Sequence, residues 1–436
     1  MPVVRSVRRP VNSAQFGVWF DMQLDPGSPG YNLAEAMEIH GPVQEGLFEQ
    51  AFRRVIEDYD ALRVVFGEDA QGWPEQTVLD RLDWSLEVID VSREDDPRAS
   101  AFDWMDGEAC SAMDITKEPP FISVLFKVSE DGYIWYKQMH HIMMDGPGMD
   151  LVSLRLAEVY TCLVTGEPVP AVSAGGVLGL LDQDTAYRSS AQFALDRAFW
   201  TERLKDLPDP PVLSGRPSGR QADFCHRWVE VVSQRQLDLY RSSARACATT
   251  WAALVNAAAA AYLHRATGAT DVSIGSPVPG RRGCRTTVGM TSGFLPLRLS
   301  MTPRTIVTQL VRSAARELRS LLKHQRYRHE DIRRDLNLTH SPRQLIGPTV
   351  NVLSFHDFRL TFGGHKVSGH NISLGSARDL TITACERGAT APAEFIFDAD
   401  PAVYTQEEVE RHGRRFVRFV DTFAASLTTP LSELPF

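Results

Sequence analysis

Apolar residues recur along this chain at two spacings, and the switches between them lay out its elements. Over Gln44–Asp58, the residues Leu47, Phe48, Ala51, Phe52, Val55 and Ile56 fall on one side of a helical wheel, predicting an amphipathic helix. Another helix is predicted near Ala99–Met113. Behind an Asp131-Gly132 turn, Tyr133-Ile134-Trp135-Tyr136-Lys137-Gln138 is aromatic and β-branched and predicts a strand. Leu151, Val152, Leu156, Val159, Tyr160 and Leu163 then return to helical spacing and stop near Gly166. Proline and glycine cluster from Gly166 to Gly179, marking a connector before a helix near Asp184–Leu204. A second loose stretch, Leu207–Arg220, holds Pro208, Pro210, Pro211, Gly215, Pro217 and Gly219. Beyond it the pattern predicts a strand at Arg227–Val232 and helices near Gln234–Arg245, Thr250–Arg265, Thr305–His324 and Gln406–Leu427. Gln15–Phe20 reads as extended, and no short repeat or heptad appears. The mixture predicts an α+β protein of two layers.

Composition narrows the class. A chain of 436 residues exceeds one ordinary core, so two lobes are expected, 1–178 and 179–436. Apolar content of 43% and charged content of 23% fit a globular protein. The longest apolar run, Ala252–Leu263, falls short of a membrane span, so no membrane partner is expected. No apolar stretch follows Arg5, Arg8 and Arg9, as a signal peptide would require. Six scattered cysteines without a Cys-x-x-Cys pair suggest reduced thiols and a cytoplasmic location. A net charge of −9 argues against a general nucleic-acid binder.

The chemistry concentrates in Met139-His140-His141-Ile142-Met143-Met144-Asp145-Gly146-Pro147-Gly148, where the predicted strand runs into a helix. His-His-x-x-x-Asp-Gly arises by chance in roughly one chain per thousand of this size. Neighbouring side chains at a strand end point to opposite faces, so His140 and His141 cannot share one cavity. One imidazole can act on a substrate while its neighbour anchors the turn. Gly146 and Gly148 let a ligand approach the backbone, and Asp145 can hold the turn through an ion pair. A metal site is the first alternative, but adjacent histidines rarely converge on one ion and no Cys or further His supports them. Two structural core histidines are the second.

These residues resemble the signature of nonribosomal peptide synthetase condensation domains, relatives of chloramphenicol acetyltransferase. Other stretches agree in the family's order. Ser13-Ala14-Gln15-Phe16-Gly17-Val18-Trp19, with Gln23-Leu24-Asp25-Pro26 and Tyr31-Asn32, resembles the opening motif, and Ala61-Leu62-Arg63-Val64-Val65-Phe66 the second. Val288 to Arg298, His324 to Asp331 and Gly347 to Val352 resemble later ones. The resemblance runs from about Asn12 to the C-terminus.

It implies two acyltransferase-like lobes forming a V-shaped pseudo-dimer, with a tunnel between them and the histidine motif at its centre. The implied reaction joins an acyl or aryl thioester on a donor carrier protein to the amine on an acceptor peptidyl carrier protein. Both substrates arrive on phosphopantetheine arms; the domain itself binds no cofactor and no metal, and acts as a monomer. His141 matches the family's catalytic position, as general base or as a group that orients the amine. Gly146 matches a backbone that hydrogen-bonds near the reacting centre. His140 and Asp145 match structural roles, with Arg281 in Ser276-Pro277-Val278-Pro279-Gly280-Arg281 as Asp145's implied partner.

Within the family, Phe294-Leu295-Pro296-Leu297-Arg298, Arg326 to Asp331 and Gly347 to Leu353 look most like opening domains of catechol-siderophore synthetases, which use an aryl donor. Two stretches depart from the family pattern. Ser292-Gly293 stands where a bulkier pair is expected, and Asp58-Tyr59-Asp60 replaces Arg-His-Glu. Epimerising relatives carry a tryptophan after the glycine and heterocyclising ones an aspartate for the first histidine; neither holds here. An ester-forming enzyme with a hydroxyl acceptor, and a non-catalytic recruitment domain, remain as alternatives. Pro430 to Phe436 resembles the linker towards an adenylation domain, an expected neighbour. Arg312, Arg316, Arg319, Lys323, Arg326, Arg328, Arg333 and Arg334 form a basic region, readable as a carrier contact or as a solvated helix face.

Overall fold

A computed structural model of the chain describes residues 6–24, 27–172, 175–216, 224–281, 286–339, 341–354, 360–373, 379–386 and 393–436. The chain forms two compact units. The first comprises Met1–Ser190, Arg281–Ser292 and Arg359–Gly375; the second comprises Ala191–Gly280, Gly293–Phe358 and Ser376–Phe436. Asp25, Pro26, Pro217, Gly219, Arg220 and Cys284 lie outside the described residues.

The first unit is built on a six-stranded sheet in the order Thr361–Phe362, His365–Asn371, Asn32–His40, Gly132–His140, Phe121–Ser129 and Glu87–Asp90. Gly132–His140 lies inside the sheet, antiparallel to both neighbours, and is buried on both faces from Tyr133 onward. That explains its near-continuous aromatic and aliphatic run. On one face Trp135 packs edge-on to Phe48 of helix Glu45–Asp58, with ring centroids 5.9 Å apart. Tyr160 of helix Gly146–Thr165 and Phe362 close the same cluster. On the other face Ile134 and Tyr136 pack with Ala101 and Met105 of helix Pro97–Ala109. A three-stranded sheet, Ser6–Pro10, Pro74–Leu79 and Val64–Glu68, completes the unit.

The second unit has its own six-stranded sheet: Gly293–Ser300, Asp271–Val278, Thr349–Ser354, Leu380–Glu386, Ala393–Ala399 and His226–Val232. Helices Gln234–Ala246, Trp251–Thr267, Val307–Lys323 and Gln406–Ala425 supply the rest of one large core. Helix Trp251–Thr267 is buried continuously from Ala253 to His264, and its Ala257–Ala261 run lets neighbouring backbones pack closely. Among the described residues no single helix is long and apolar enough to cross a membrane.

Three features differ from the sequence pattern. Gln15–Phe20 is not extended but belongs to helix Ser13–Leu24. Its start is fixed by Asn12, whose side chain accepts from the N–H groups of Ala14 and Gln15 (2.9 and 3.0 Å), while Gln15 accepts from Asn12 N–H (2.9 Å). That reciprocal cap outweighs the β-favouring Phe, Val and Trp side chains. The helix expected over Asp184–Leu204 is two, Val177–Arg188 and Ala191–Leu204, parted where Ser189 and Ser190 turn their hydroxyls back onto backbone carbonyls. The division into units also departs from 1–178 and 179–436. It falls after Ser190, and two later segments rejoin the first unit, one adding strand His365–Asn371 beside Asn32–His40.

Packing in the second unit yields a test. A Cβ at Gly413 would lie 2.6 Å from Trp228 Cδ1 and 3.0 Å from Phe397 Cδ2. Alanine is worth about 1 kcal/mol more than glycine in a helix interior, whereas overpacking costs about 1–3 kcal/mol. Gly413→Ala is therefore expected to lower the thermal midpoint despite its better helix propensity; an unchanged or raised midpoint in a melting curve contradicts this packing.

Candidate active site

The histidine pair sits where strand Gly132–His140 ends, before the tight Ile142–Asp145 turn into helix Gly146–Thr165. Two anchors fix that turn. The first is Lys137, wholly buried on the strand. Its ammonium contacts Glu35 on the neighbouring strand (2.8 Å) and donates to Met149 O (3.1 Å) and Ser153 Oγ on the helix. The second is Asp145, which N-caps the helix by accepting from Gly148 N–H (3.1 Å).

Asp145 is also buried and collects donors from a distant stretch. Arg281, 136 residues away, forms an ion pair with Asp145 Oδ1 and donates to the Thr287 and Gly289 carbonyls. Asp145 Oδ2 accepts from Thr291 N–H, Thr291 Oγ1 and Ser292 N–H, each at 3.1 Å. Between them Gly289 takes φ +153°, a conformation that favours glycine, and a Cβ there would have to displace the end of the Leu180 side chain.

The two histidines differ sharply. His140 is 2% exposed, and its Nδ1 accepts from Ile142 N–H (3.1 Å). Burial, then the neighbouring His141, push its pKa down to about 3, so it is a neutral structural ring at physiological pH. His141 is tied by its backbone N–H to Tyr31 O (2.7 Å). Its Nδ1 is shut away without a hydrogen-bond partner among the described residues, but the residue keeps accessible surface and Nε2 is not sealed. Burial also lowers the His141 pKa, with the Asp145 carboxylate opposing. Beside it Gly146 is exposed; a Cβ there meets nothing within 4 Å, and its N–H donates to no described group. A neutral imidazole at the strand end is therefore followed, across the turn, by an uncommitted N–H at the positive end of a helix.

Lys137 and Asp150 were not singled out in the sequence, and Asp58 and Asp60 were noted only as departures from the family pattern. Lys137 was hidden as one charged residue in an aromatic strand. Asp150, the fifth residue of the helix, is pushed up to about 7 by burial and by Glu35, against Lys137. Asp58 pairs with buried Arg155 (2.6 Å), and both oxygens of Asp60 accept from Val177 N–H (3.0 and 3.1 Å). A recurrent sign of such groups is a charge at a position that the apolar pattern marks as buried. Among the described residues no three His, Cys, Asp or Glu side chains gather as a metal site.

Removing one member of a buried pair costs about 3–5 kcal/mol, because the other charge stays desolvated. Asp145→Ala leaves Arg281, 5% exposed, without its carboxylate. It is expected to lose stability of that order in urea unfolding, with Asp145→Asn intermediate. Wild-type stability in Asp145→Ala would show that this network does not hold the turn.

The sequence model of the condensation domain family matches residues 7–436. The chain is 39% identical over 429 residues to isonitrile lipopeptide synthase of Streptomyces coeruleorubidus, covering 98% of this chain and 29% of that protein. It is 36% identical over 427 residues to a dimodular nonribosomal peptide synthase of Bacillus subtilis strain 168, covering 98% and 18% respectively. The chain thus spans less than a third of the length of these curated relatives. Among solved structures, a variant of the starter condensation domain of rhizomide synthetase RzmA, in complex with C8-CoA and Leu-SNAC, matches with a TM-score of 0.91. That match has 36% identity and covers 98% of this chain and 96% of that one. A match over nearly the whole length to the family model, with these relatives and this fold, makes the chain a member of the condensation domain family of nonribosomal peptide synthetases.

Proposed function

We propose that this chain forms an amide between two carrier-bound substrates. An acyl group held as a thioester on the phosphopantetheine arm of a donor carrier passes to the amine of an aminoacyl group on an acceptor carrier. The C–N bond forms as the C–S bond breaks, and the amine proton finishes on the departing thiol. The observation that carries this reading is a neutral His141 with an unsealed Nε2 at the strand end, followed across the turn by a helix whose first N–H, that of Gly146, is free.

The chemistry asks little of the protein. A thioester is already activated and a neutral amine is a good nucleophile, so most of the gain comes from holding both in attack geometry. His141 Nε2 accepts a hydrogen bond from the attacking amine and takes its proton as the tetrahedral intermediate forms. The Gly146 N–H, at the positive end of the helix, steadies the negative oxygen of that intermediate. His140, Asp145 and Arg281 position these two groups without touching substrate. The lipopeptide relative and the starter domain bound to C8-CoA support an aliphatic acyl donor over the aryl donor suggested by the later motifs. The greater length of the relatives supports an adjoining adenylation domain as a further partner.

The direct test incubates the protein with carriers loaded with fatty acyl or dihydroxybenzoyl groups and with amine or alcohol acceptors, then weighs the products. Amide from the fatty acyl donor is expected. A folded protein that yields no amide with any pair ends the proposal. His141→Ala should stay folded and slow single-turnover condensation by roughly a hundredfold or more.

The pH profile gives a second test. Because burial lowers the His141 pKa, the ring protonates only below the ordinary histidine midpoint of 6.5. Activity is fully present above that midpoint and is lost as pH falls through the lower folded value. Single-turnover rates should therefore show an acid limb below pH 6.5, absent in His141→Ala; a limb at or above 6.5 in the wild type contradicts the assignment.

A further inference from the structure

Helix Val307–Lys323 packs Val307, Leu310, Val311, Ala314, Ala315 and Leu321 into the second unit's core. Its outer face carries Arg312, Arg316, Arg319 and Lys323, all exposed. At about 100° per residue, the spacings of 4, 7 and 11 positions keep them within roughly a 60° arc, a stripe about 16 Å long. None of the four has an ion-pair partner among the described residues. The one acid on the helix, Glu317, lies off this arc and is paired with Arg203. Leu322, 45% exposed, flanks the stripe three residues beyond Arg319 and adds an apolar contact at its edge. Elsewhere in the basic region the cations are engaged: Arg333 donates to three backbone carbonyls, Arg334 pairs with Asp331, and Arg328, only 10% exposed, lies against Gly293.

An unbalanced cationic stripe on a chain of net charge −9 is the feature to explain. Like charges on neighbouring turns of a helix repel, so the stripe is held at a small cost to the helix. An extended polyanion such as nucleic acid or an anionic membrane would also meet the protein's overall negative charge. A small partner would not, since screening over about 8 Å confines its interaction to the stripe. We propose that this face docks an acidic helix of a carrier protein, with carboxylates spaced to meet Arg312, Arg316, Arg319 and Lys323 and an apolar residue to meet Leu322. This rests on the carrier-dependent reading above and gives that reading a surface.

The test compares wild type with R312E/R316E/R319E, whose exposed positions leave the core intact. Binding of phosphopantetheine-loaded donor and acceptor carriers is titrated directly, at low and high salt, and turnover of a small acyl thioester with a free amine is measured in parallel. For one of the two carriers the dissociation constant is expected to rise by about tenfold or more, with the difference shrinking at high salt. Turnover of the small substrates should stay unchanged. A carrier bearing the matching acid-to-lysine reversals should regain affinity for the variant. Unchanged binding of both carriers overturns the proposal, as does a wild type that binds neither. A loss confined to anionic vesicles or nucleic acid overturns it as well. Carrier binding that responds as expected in a protein that forms no amide keeps the docking face and removes the catalytic reading instead.

Discussion

The architecture around the candidate site depends on one buried carboxylate. Asp145 accepts from a guanidinium, a hydroxyl and three backbone N–H groups, so that its two oxygens satisfy donors from its own helix and from residues 281–292. A hydrophobic residue of the same shape would bury as easily but would leave all five unsatisfied. The geometry of the turn follows from this constraint. The helix start is fixed, the turn behind it is held, and Lys137 ties the strand end to the helix from the other side. His141 is thus positioned by groups that need not touch a substrate.

Electrostatics separate the two histidines without a difference in chemistry. Both are pushed towards the neutral form by burial, but only His140 has its Nδ1 occupied by a backbone donor. His141 has one nitrogen sealed without a partner among the described residues and the other open. A neutral ring whose basicity is lowered is a ready hydrogen-bond acceptor but a modest proton acceptor. That suits the proposed attack of an amine on a thioester, where the nucleophile becomes acidic only as the new bond forms. The proton then moves when it is easy to move, and the protein's larger contribution is orientation.

Much of this was legible in the sequence, and the parts that were not have physical causes. Amphipathic helices such as Glu45–Asp58 and Gln406–Ala425 follow from spacing alone, because each buries one face within its own unit. Gly132–His140 was readable because an interior strand is apolar on both faces. Helix Ser13–Leu24 was missed because its signal lies in a cap, Asn12 with Gln15, and not in its apolar pattern. His365–Asn371 is largely polar and joins a sheet whose other long strands lie more than two hundred residues earlier, which no local pattern records. In the site, the motif residues were named by resemblance, whereas Lys137 and Asp150 emerge only when strand and helix are brought together.

The two departures from the family pattern bear on whether the fold has outlived its chemistry. A domain kept only for recruitment has no need to repair what it loses around the histidines. Here four of the five altered positions are accommodated within their own unit. Asp58 is matched by Arg155, and Asp60 caps the helix that begins at Val177. Ser292 reaches Asp145 through its backbone N–H, so the change of side chain leaves that bond untouched. Gly293 gives room to the Arg328 guanidinium, which a side chain there would meet at 2.9–3.0 Å. The altered residues are accommodated by packing and hydrogen bonding, and His140, His141, Asp145 and Gly146 are intact. Compensation of this kind preserves the scaffold that fixes the histidine turn, which is what an active transferase requires.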